Sequence, residues 1–149
     1  MALVVHPMAT ITADLNSGFH VSITNGRHKW SADEPSSLGG TDEGPNPYEL
    51  LLGSLAACTT ITVAMYARRK GMEFDSISVR YEHDRIHAED CTACDDDASG
   101  FLDRVRSAIF IEGNFDDEQR KRLIDVAQRC PVHKTLANGI HFEEDVIAG

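Results

Sequence analysis

GPNPYELLLGSLAACTTITVAMY, residues Gly44 to Tyr66, is the stretch around which the rest of the chain has to be arranged. It opens on turn residues and then runs almost continuously apolar. From Leu50 to Tyr66 only Gly53, Ser54, Thr59, Thr60 and Thr62 interrupt it, and all are small. A helix that is apolar on every side is a buried helix. Pro47 suits a first turn, where its missing N–H has no partner to lose. Glu49 places a carboxylate near the positive end of the helix dipole. Arg68, Arg69 and Lys70, followed by Gly71, form an ordinary C-terminal signal. The spacing therefore predicts a buried helix over residues 47 to 70, with Cys58 in its middle. A membrane span wants about 20 apolar residues; this run is softened by threonines and has no aromatic belt, so the core helix is the expectation. Taken alone, Cys58 is read as core filling, because free cysteines are among the most buried residues.

The chain has 149 residues, enough for one domain with a sizeable core, and a single domain over 1–149 is expected. The formal net charge of −10 argues against nucleic acid as a partner, since phosphate binding requires basic patches. No second apolar span and no signal-like start are visible, so neither membrane nor export is expected. There are four cysteines, Cys58, Cys91, Cys94 and Cys130. In a reducing cytoplasm such cysteines are more often catalytic, redox-active or metal-binding than structural.

Outward from the helix, residues 8 to 15 alternate weakly, with Ile11, Ala13 and Leu15 on one face, and Asn16-Ser17-Gly18 is a turn signal. Phe19, Val21 and Ile23 alternate again. Asn25-Gly26 is a strong hairpin signal, and Arg27 to Ser31 forms the return strand. Ala32 to Asn46 reads as a loop. After the helix, Ile77, Val79 and Tyr81 alternate with polar residues in a half-buried strand that runs on to His87. Ala88 to Gly100 reads as an acidic loop, and Leu102 to Glu112 as another strand with Val105, Ser107, Ile109 and Ile111 on one face. Asp116 and Gln119 have capping-box spacing, with Phe115 placed for a hydrophobic staple. That helix is expected to reach about Arg129, with Leu123, Ala127 and Cys130 on its inner face. Val132 to Ala137 fits one or two turns, and Ile140 and Phe142 begin a final strand. Segregated strands and helices indicate an α+β fold with antiparallel sheets. One small sheet covers an all-apolar helix poorly, so a second copy of the chain is expected to pack on it.

Cys58 and Cys130 thus face inward from two helices. Neighbouring thiols are suited to two-electron chemistry: one becomes a sulfenic acid on attacking a peroxide, and the other condenses with it to a disulfide. The attacking thiolate needs a cation or a helix N-terminus to form at neutral pH. Cys91-x-x-Cys94 has redox or metal spacing, with His83 and His87 available as further zinc ligands; a plain loop is the simpler reading. His133 could tune Cys130, or supply a positive charge near Cys58, or make a structural hydrogen bond. Trp30, Phe74, Phe101 and Phe142 fit core or dimer packing, or the apolar mouth of a site.

Gly44-Pro45-Asn46-Pro47-Tyr48-Glu49-Leu50, Ala56-Ala57-Cys58, and Cys130-Pro131-Val132-His133-Lys134-Thr135-Leu136 together resemble the OsmC/Ohr family (osmotically inducible protein C / organic hydroperoxide resistance), in its OsmC-like branch. The resemblance runs over nearly the whole chain. It implies an intertwined α+β homodimer with two central helices back to back. It also implies a thiol peroxidase that needs no cofactor and is restored by an external dithiol. By resemblance, Cys58 matches the peroxidatic and Cys130 the resolving cysteine. The family's activating glutamate directly follows the Asn-Pro; here that position is Tyr48 and the carboxylate is Glu49. The family's arginine comes from the first hairpin turn; here that turn has none, and Arg27 of the next hairpin is the nearest substitute. The alternative function is a non-catalytic module holding a small apolar ligand at the dimer interface.

Overall fold

The computed structural model describes residues 8–91 and 99–149. The chain divides into two compact units, Met1–Leu51 and Leu52–Gly149, with the boundary inside the long helix. The expected α+β class holds, with antiparallel sheets beside a long helix.

In the first unit, β1 (Thr12–Ser17), β2 (His20–Thr24) and β3 (Lys29–Ala32) form an antiparallel sheet in that order. The first strand starts later and ends later than the alternation indicated, and it bulges between Leu15 and Ser17. Its residues are all exposed, Leu15 included. The loop that follows is organised around Asp33, whose side chain is buried. Its carboxylate accepts hydrogen bonds from the Glu34, Thr41 and Glu43 backbone N–H groups and from the Thr41 hydroxyl at 2.6 Å. Asp33 N–H in turn donates to the Pro45 carbonyl. These bonds close the loop back on itself just before the helix.

Helix α1 spans Pro47–Arg69, as the sequence indicated. Its start is a capping box: Asn46 Oδ1 accepts from Glu49 N–H at 2.9 Å, and the Glu49 carboxylate accepts from Asn46 N–H at 2.8 Å. Its end is a Schellman motif, with Gly71 N–H donating to Arg68 O and Met72 N–H to Ala67 O. Gly71 sits at φ 65°, a left-handed conformation that favours glycine. Two of its threonines return their hydroxyls to the helix: Thr60 Oγ1 donates to Ala56 O and Thr62 Oγ1 to Cys58 O, each at 2.7 Å. That is how polar side chains are tolerated in so apolar a segment.

Burial on every side is not what a single chain provides. Only Leu55, Thr59, Val63 and Ala67, one residue per turn, are buried. Ile61 and Met65 on the other flank are 57% and 67% exposed. One chain of this size supplies cover for one stripe, and the remaining faces are those the sequence reading leaves to a second copy. By length and composition α1 could also pass for a membrane span, but its buried stripe packs against its own chain.

In the second unit, β4 (Ser76–His87) and β5 (Phe101–Glu112) pair antiparallel in unbroken register from Ser76↔Glu112 to His87↔Phe101. Alternation decides the two faces. Ile77, Ile109 and Ile111 pack against the core of Val63, Ala67, Phe115, Leu123 and Ala127. The opposite face carries a charge ladder: Arg104 and Arg106 both reach Asp84, and Arg80 and Arg106 reach Glu82. Gly113 closes the strand, since a Cβ there would lie 2.6 Å from Phe115 Cζ and 3.0 Å from Phe74 Cα.

Helix α2 (Asp117–Ala127) begins with the expected Asp116–Gln119 capping box and ends two residues before Arg129. The expected staple does not form. The position that Phe115 would clasp is Arg120, and the ring enters the core instead. Helix α3 (Pro131–Asn138) follows at once. The strand expected at Ile140 and Phe142 is not formed: residues 139–149 carry no regular secondary structure and are exposed. A strand needs a partner for its N–H and C=O groups, and among the described residues no strand pairs with residues 140–149.

Candidate functional site

Cys58 and Cys130 are brought together as free thiols, close enough for each sulfur to act on the other. Two local features achieve this. Cys58 lies on α1 beside the buried stripe, one residue before Thr59. Cys130 continues the inner face of α2 past Leu123 and Ala127, and all three are buried. Pro131 starts a new helix, so Cys130 becomes the N-cap of α3, and its sulfur accepts from His133 N–H at 3.5 Å. His133 therefore acts on the site through its backbone.

The two sulfurs differ in their surroundings. Cys130 is fully buried, and Cys58 is half-buried. Burial pushes the Cys58 thiol up, and the neighbouring Cys130 sulfur pushes it further; the Val132 backbone N–H and the Thr62 hydroxyl oppose this only in part. None of these groups is a cation. Burial acts on Cys130 in the same sense, but it is outweighed by hydrogen bonds from Cys58, the His133 N–H, the Thr59 hydroxyl and the Val132 N–H, and the thiol is held below its ordinary value. A sulfur at a helix N-terminus is where a thiolate is favoured. Of the two thiols, Cys130 is therefore the one whose anion the surroundings favour.

Thr59 was not singled out by the sequence as part of the site. It is fully buried, and its Oγ1 lies 2.9 Å from Tyr81 Oη of β4. Its signal was present: a threonine directly after the thiol, in a stripe otherwise made of Leu55, Val63 and Ala67. Tyr81 could be read as one inward residue of an alternating strand, with nothing to mark its hydroxyl.

A cleft of about 840 Å³ lies next to the pair. Thr62, one turn beyond Cys58, and Pro131, next to Cys130, are on its wall, as are Met65 and Val126. Arg68, Arg69, Arg122 and Arg129 line the rest, and among the described residues none of the four forms an ion pair. Arg122 stands 5.8 Å over the Tyr66 ring and donates from Nε to Tyr66 Oη at 3.3 Å. Arg68 and Arg69 had been read as helix-terminal charge; folding gathers them with two arginines from and just beyond α2.

The remaining candidates are placed differently. Glu49 serves the α1 capping box. Arg27 sits in the β2–β3 turn, its N–H donating to Asn25 Oδ1 at 3.0 Å. His83 Nε2 lies 2.9 Å from Asp103 Oδ1, while the His87 ring is edge-on to Phe101 and accepts from Glu89 N–H. Four residues of strand separate these histidines by about 13 Å, too far for one ion. Cys91 is disulfide-bonded, which removes its thiolate from metal binding; Cys94 lies outside the described residues. Among the described residues, no group of three or more His, Cys, Asp and Glu side chains is arranged to hold a metal. Trp30, Phe101 and Phe142 are exposed rather than core.

Residues 40–145 match the family model of the OsmC-like proteins. Among solved structures, an OsmC like protein from Mycoplasma pneumoniae is 25% identical, with a TM-score of 0.64 over 89% of each chain. The organic hydroperoxide resistance protein OhrB of Bacillus subtilis is 22% identical, with a TM-score of 0.56 over 85% of this chain and 88% of its own. The uncharacterized protein YmaD of Bacillus subtilis is 36% identical over 61 residues, which span 41% of each chain. With a family model covering most of its length and the same fold in these structures, the chain belongs to the OsmC-like protein family.

Proposed function

We propose that the protein is a cytoplasmic thiol peroxidase that reduces organic peroxides through Cys58 and Cys130. The observation that carries this is the neighbouring pair of free thiols, one of them at a helix N-terminus. Cys58 is the attacking sulfur because a peroxide can reach a half-buried thiol and cannot reach a fully buried one. Its proton passes to the neighbouring Cys130 sulfur when that sulfur is the anion its surroundings favour. The Cys58 sulfur then attacks the peroxide; an S–O bond forms, the O–O bond breaks, and the alkoxide leaves as an alcohol after taking a proton from water. Cys130, once deprotonated again, attacks the Cys58 sulfenic acid; the S–S bond forms, and hydroxide leaves as water. A dithiol of external origin supplies the two electrons that restore both thiols.

The cleft beside the pair holds the organic part of the peroxide, with Met65, Val126 and Pro131 as apolar wall. The unpaired arginines on its rim favour a peroxide that also bears a carboxylate. The working form is a homodimer. Ile61 and Met65 on the exposed flank of α1, and the exposed Ile140 and Phe142, are apolar side chains that a second copy would cover. Binding without catalysis is the competing use of such a cleft, and one experiment separates the two. Peroxide consumption with a dithiol is expected from the wild type and absent from Cys58→Ser; if the serine variant consumes peroxide as fast, the mechanism is wrong.

A further inference from the structure

Arg68, Arg69, Arg122 and Arg129 stand without counter-charge in a chain that has an excess of it. The sequence carries 24 acidic residues against 14 basic ones. Arg80, Arg85, Arg104 and Arg106 on β4 and β5 each reach a carboxylate. Among the described residues none of the four cleft arginines does, and no Asp or Glu lines the cleft with them. Asp125 lies between Arg122 and Arg129 in sequence, and among the described residues it pairs with neither. Like charges gathered in one concave site repel one another, a cost that a bound anion removes.

The helix dipole accounts for part of the cluster. Arg68 and Arg69 end α1, where a cation is favoured. Arg122 is in the middle of α2, where the dipole favours no charge. It is also held in place, 5.8 Å over the Tyr66 ring with Nε donating to Tyr66 Oη at 3.3 Å. That contact uses Nε and leaves the two terminal nitrogens as donors.

The spread of the charge selects the anion. Arg122 and Arg129 are two helical turns apart, about 10 Å of rise. A carboxylate pairs bidentately with one guanidinium and leaves the others unmatched. A diphosphate ester spreads its negative charge over two phosphorus centres and can match several guanidiniums at once. The cleft, at about 840 Å³, is too large for a bare ion and falls in the range of organic-ligand sites, about 300–1,000 Å³. Met65 and Val126 give it an apolar side. We infer that it binds an organic diphosphate with an apolar body, the diphosphate among the four arginines and the body against Met65 and Val126. This deepens the substrate reading above and rests on it only for turnover. A second copy covering Ile61 and Met65 would border the cleft on its α1 side, so the site is measured in the assembly the protein adopts in solution.

Calorimetric titration of the reduced protein with geranyl diphosphate, geranic acid and inorganic pyrophosphate tests it, by changing the head on one body and then removing the body. Geranyl diphosphate is expected to bind about tenfold more tightly than either of the others. Its affinity should fall steeply toward about 1 M salt, where the Debye length is about 3 Å. Arg122→Ala and Arg129→Ala should each weaken it about tenfold, a hydrogen bond to a charged group being lost. Arg80→Ala, whose guanidinium pairs with Glu82 on β4, should bind as the wild type does. Geranic acid bound as tightly would reduce the site to a carboxylate, and pyrophosphate bound as tightly would reduce it to an ion site. Undiminished binding in Arg122→Ala and Arg129→Ala would place it elsewhere. Each of these results, or no binding at all, overturns the inference. No peroxide enters the titrations. A protein that binds the diphosphate and consumes no hydroperoxide keeps the site and loses the cycle; one that consumes hydroperoxide and binds no diphosphate keeps the cycle and loses the site.

Discussion

Leu123 is the residue whose loss says most about how the thiol pair is built. It is 1% exposed and packs among Val63, Ala67, Phe115 and Ala127, so it joins α2 to the buried stripe of α1. Leu123→Ala removes three carbons, which at about 0.8 kcal/mol per methylene is a transfer loss of about 2.4 kcal/mol. Comparable truncations in closed cores cost about 3 to 5 kcal/mol because a cavity remains. Here the far side of Leu123 lines a groove of about 420 Å³ between β5 and α2. Access from that groove lets the site relax, so the cavity contribution should be small and the total about 3 kcal/mol. Ile124, its neighbour in sequence and on the same groove, is 52% exposed; Ile124→Ala should cost less than about 1 kcal/mol. Urea denaturation at matched protein concentration measures both, with an unchanged slope required for the comparison. The reasoning also predicts slower Cys58–Cys130 disulfide formation in Leu123→Ala, because Cys130 hangs from the same helix face. Equal costs for the two variants, or a cost for Leu123→Ala under about 1 kcal/mol, would refute the assigned inner face of α2.

Two further outcomes follow from charge. The Asp33 carboxyl is pulled down to about 2, first by the Thr41 hydroxyl and then, against the cost of burial, by three backbone N–H groups. A depressed carboxyl stabilises the fold above its unfolded value, near 3.8, and loses that contribution as pH falls through about 2. The stability gap between wild type and Asp33→Asn should therefore be full above about pH 4 and close toward about pH 2; a gap that ignores pH in denaturation midpoints would contradict it. In the cleft, Arg122→Ala should raise KM several-fold for a carboxylate-bearing hydroperoxide and little for a neutral one. The difference should fade at about 1 M salt, where the Debye length is about 3 Å. Equal KM increases for both substrates would remove the arginines from substrate binding.

Much was legible before any coordinates. The helix from Pro47, its glycine stop, the three-stranded meander, the alternation of β4 and β5 and the Asp116–Gln119 box are local patterns, and local patterns survive into the fold. The inward phase of Leu123, Ala127 and Cys130 was read from helical spacing alone. The errors share one cause. The strand expected at Ile140 and Phe142 requires a partner that no local window contains. The same holds for Phe115, which sequence spacing assigns to a staple and the core claims.

By itself, the sequence determined most of the elements, the family and the two cysteines, because periodicity, capping chemistry and motif spacing are properties of neighbouring residues. Only the tertiary structure decided which groups act on those cysteines. Thr59 and Tyr81 are 22 positions apart, and Cys58 lies in a different element from the helix N-terminus that favours a thiolate on Cys130. The arginines of the cleft come from helices more than fifty residues apart, as in Arg122 and Tyr66. Hydrogen bonds and charge act through distances of a few ångströms. Such distances between remote residues are set by the packing of a whole stripe of α1 on β4, β5 and α2.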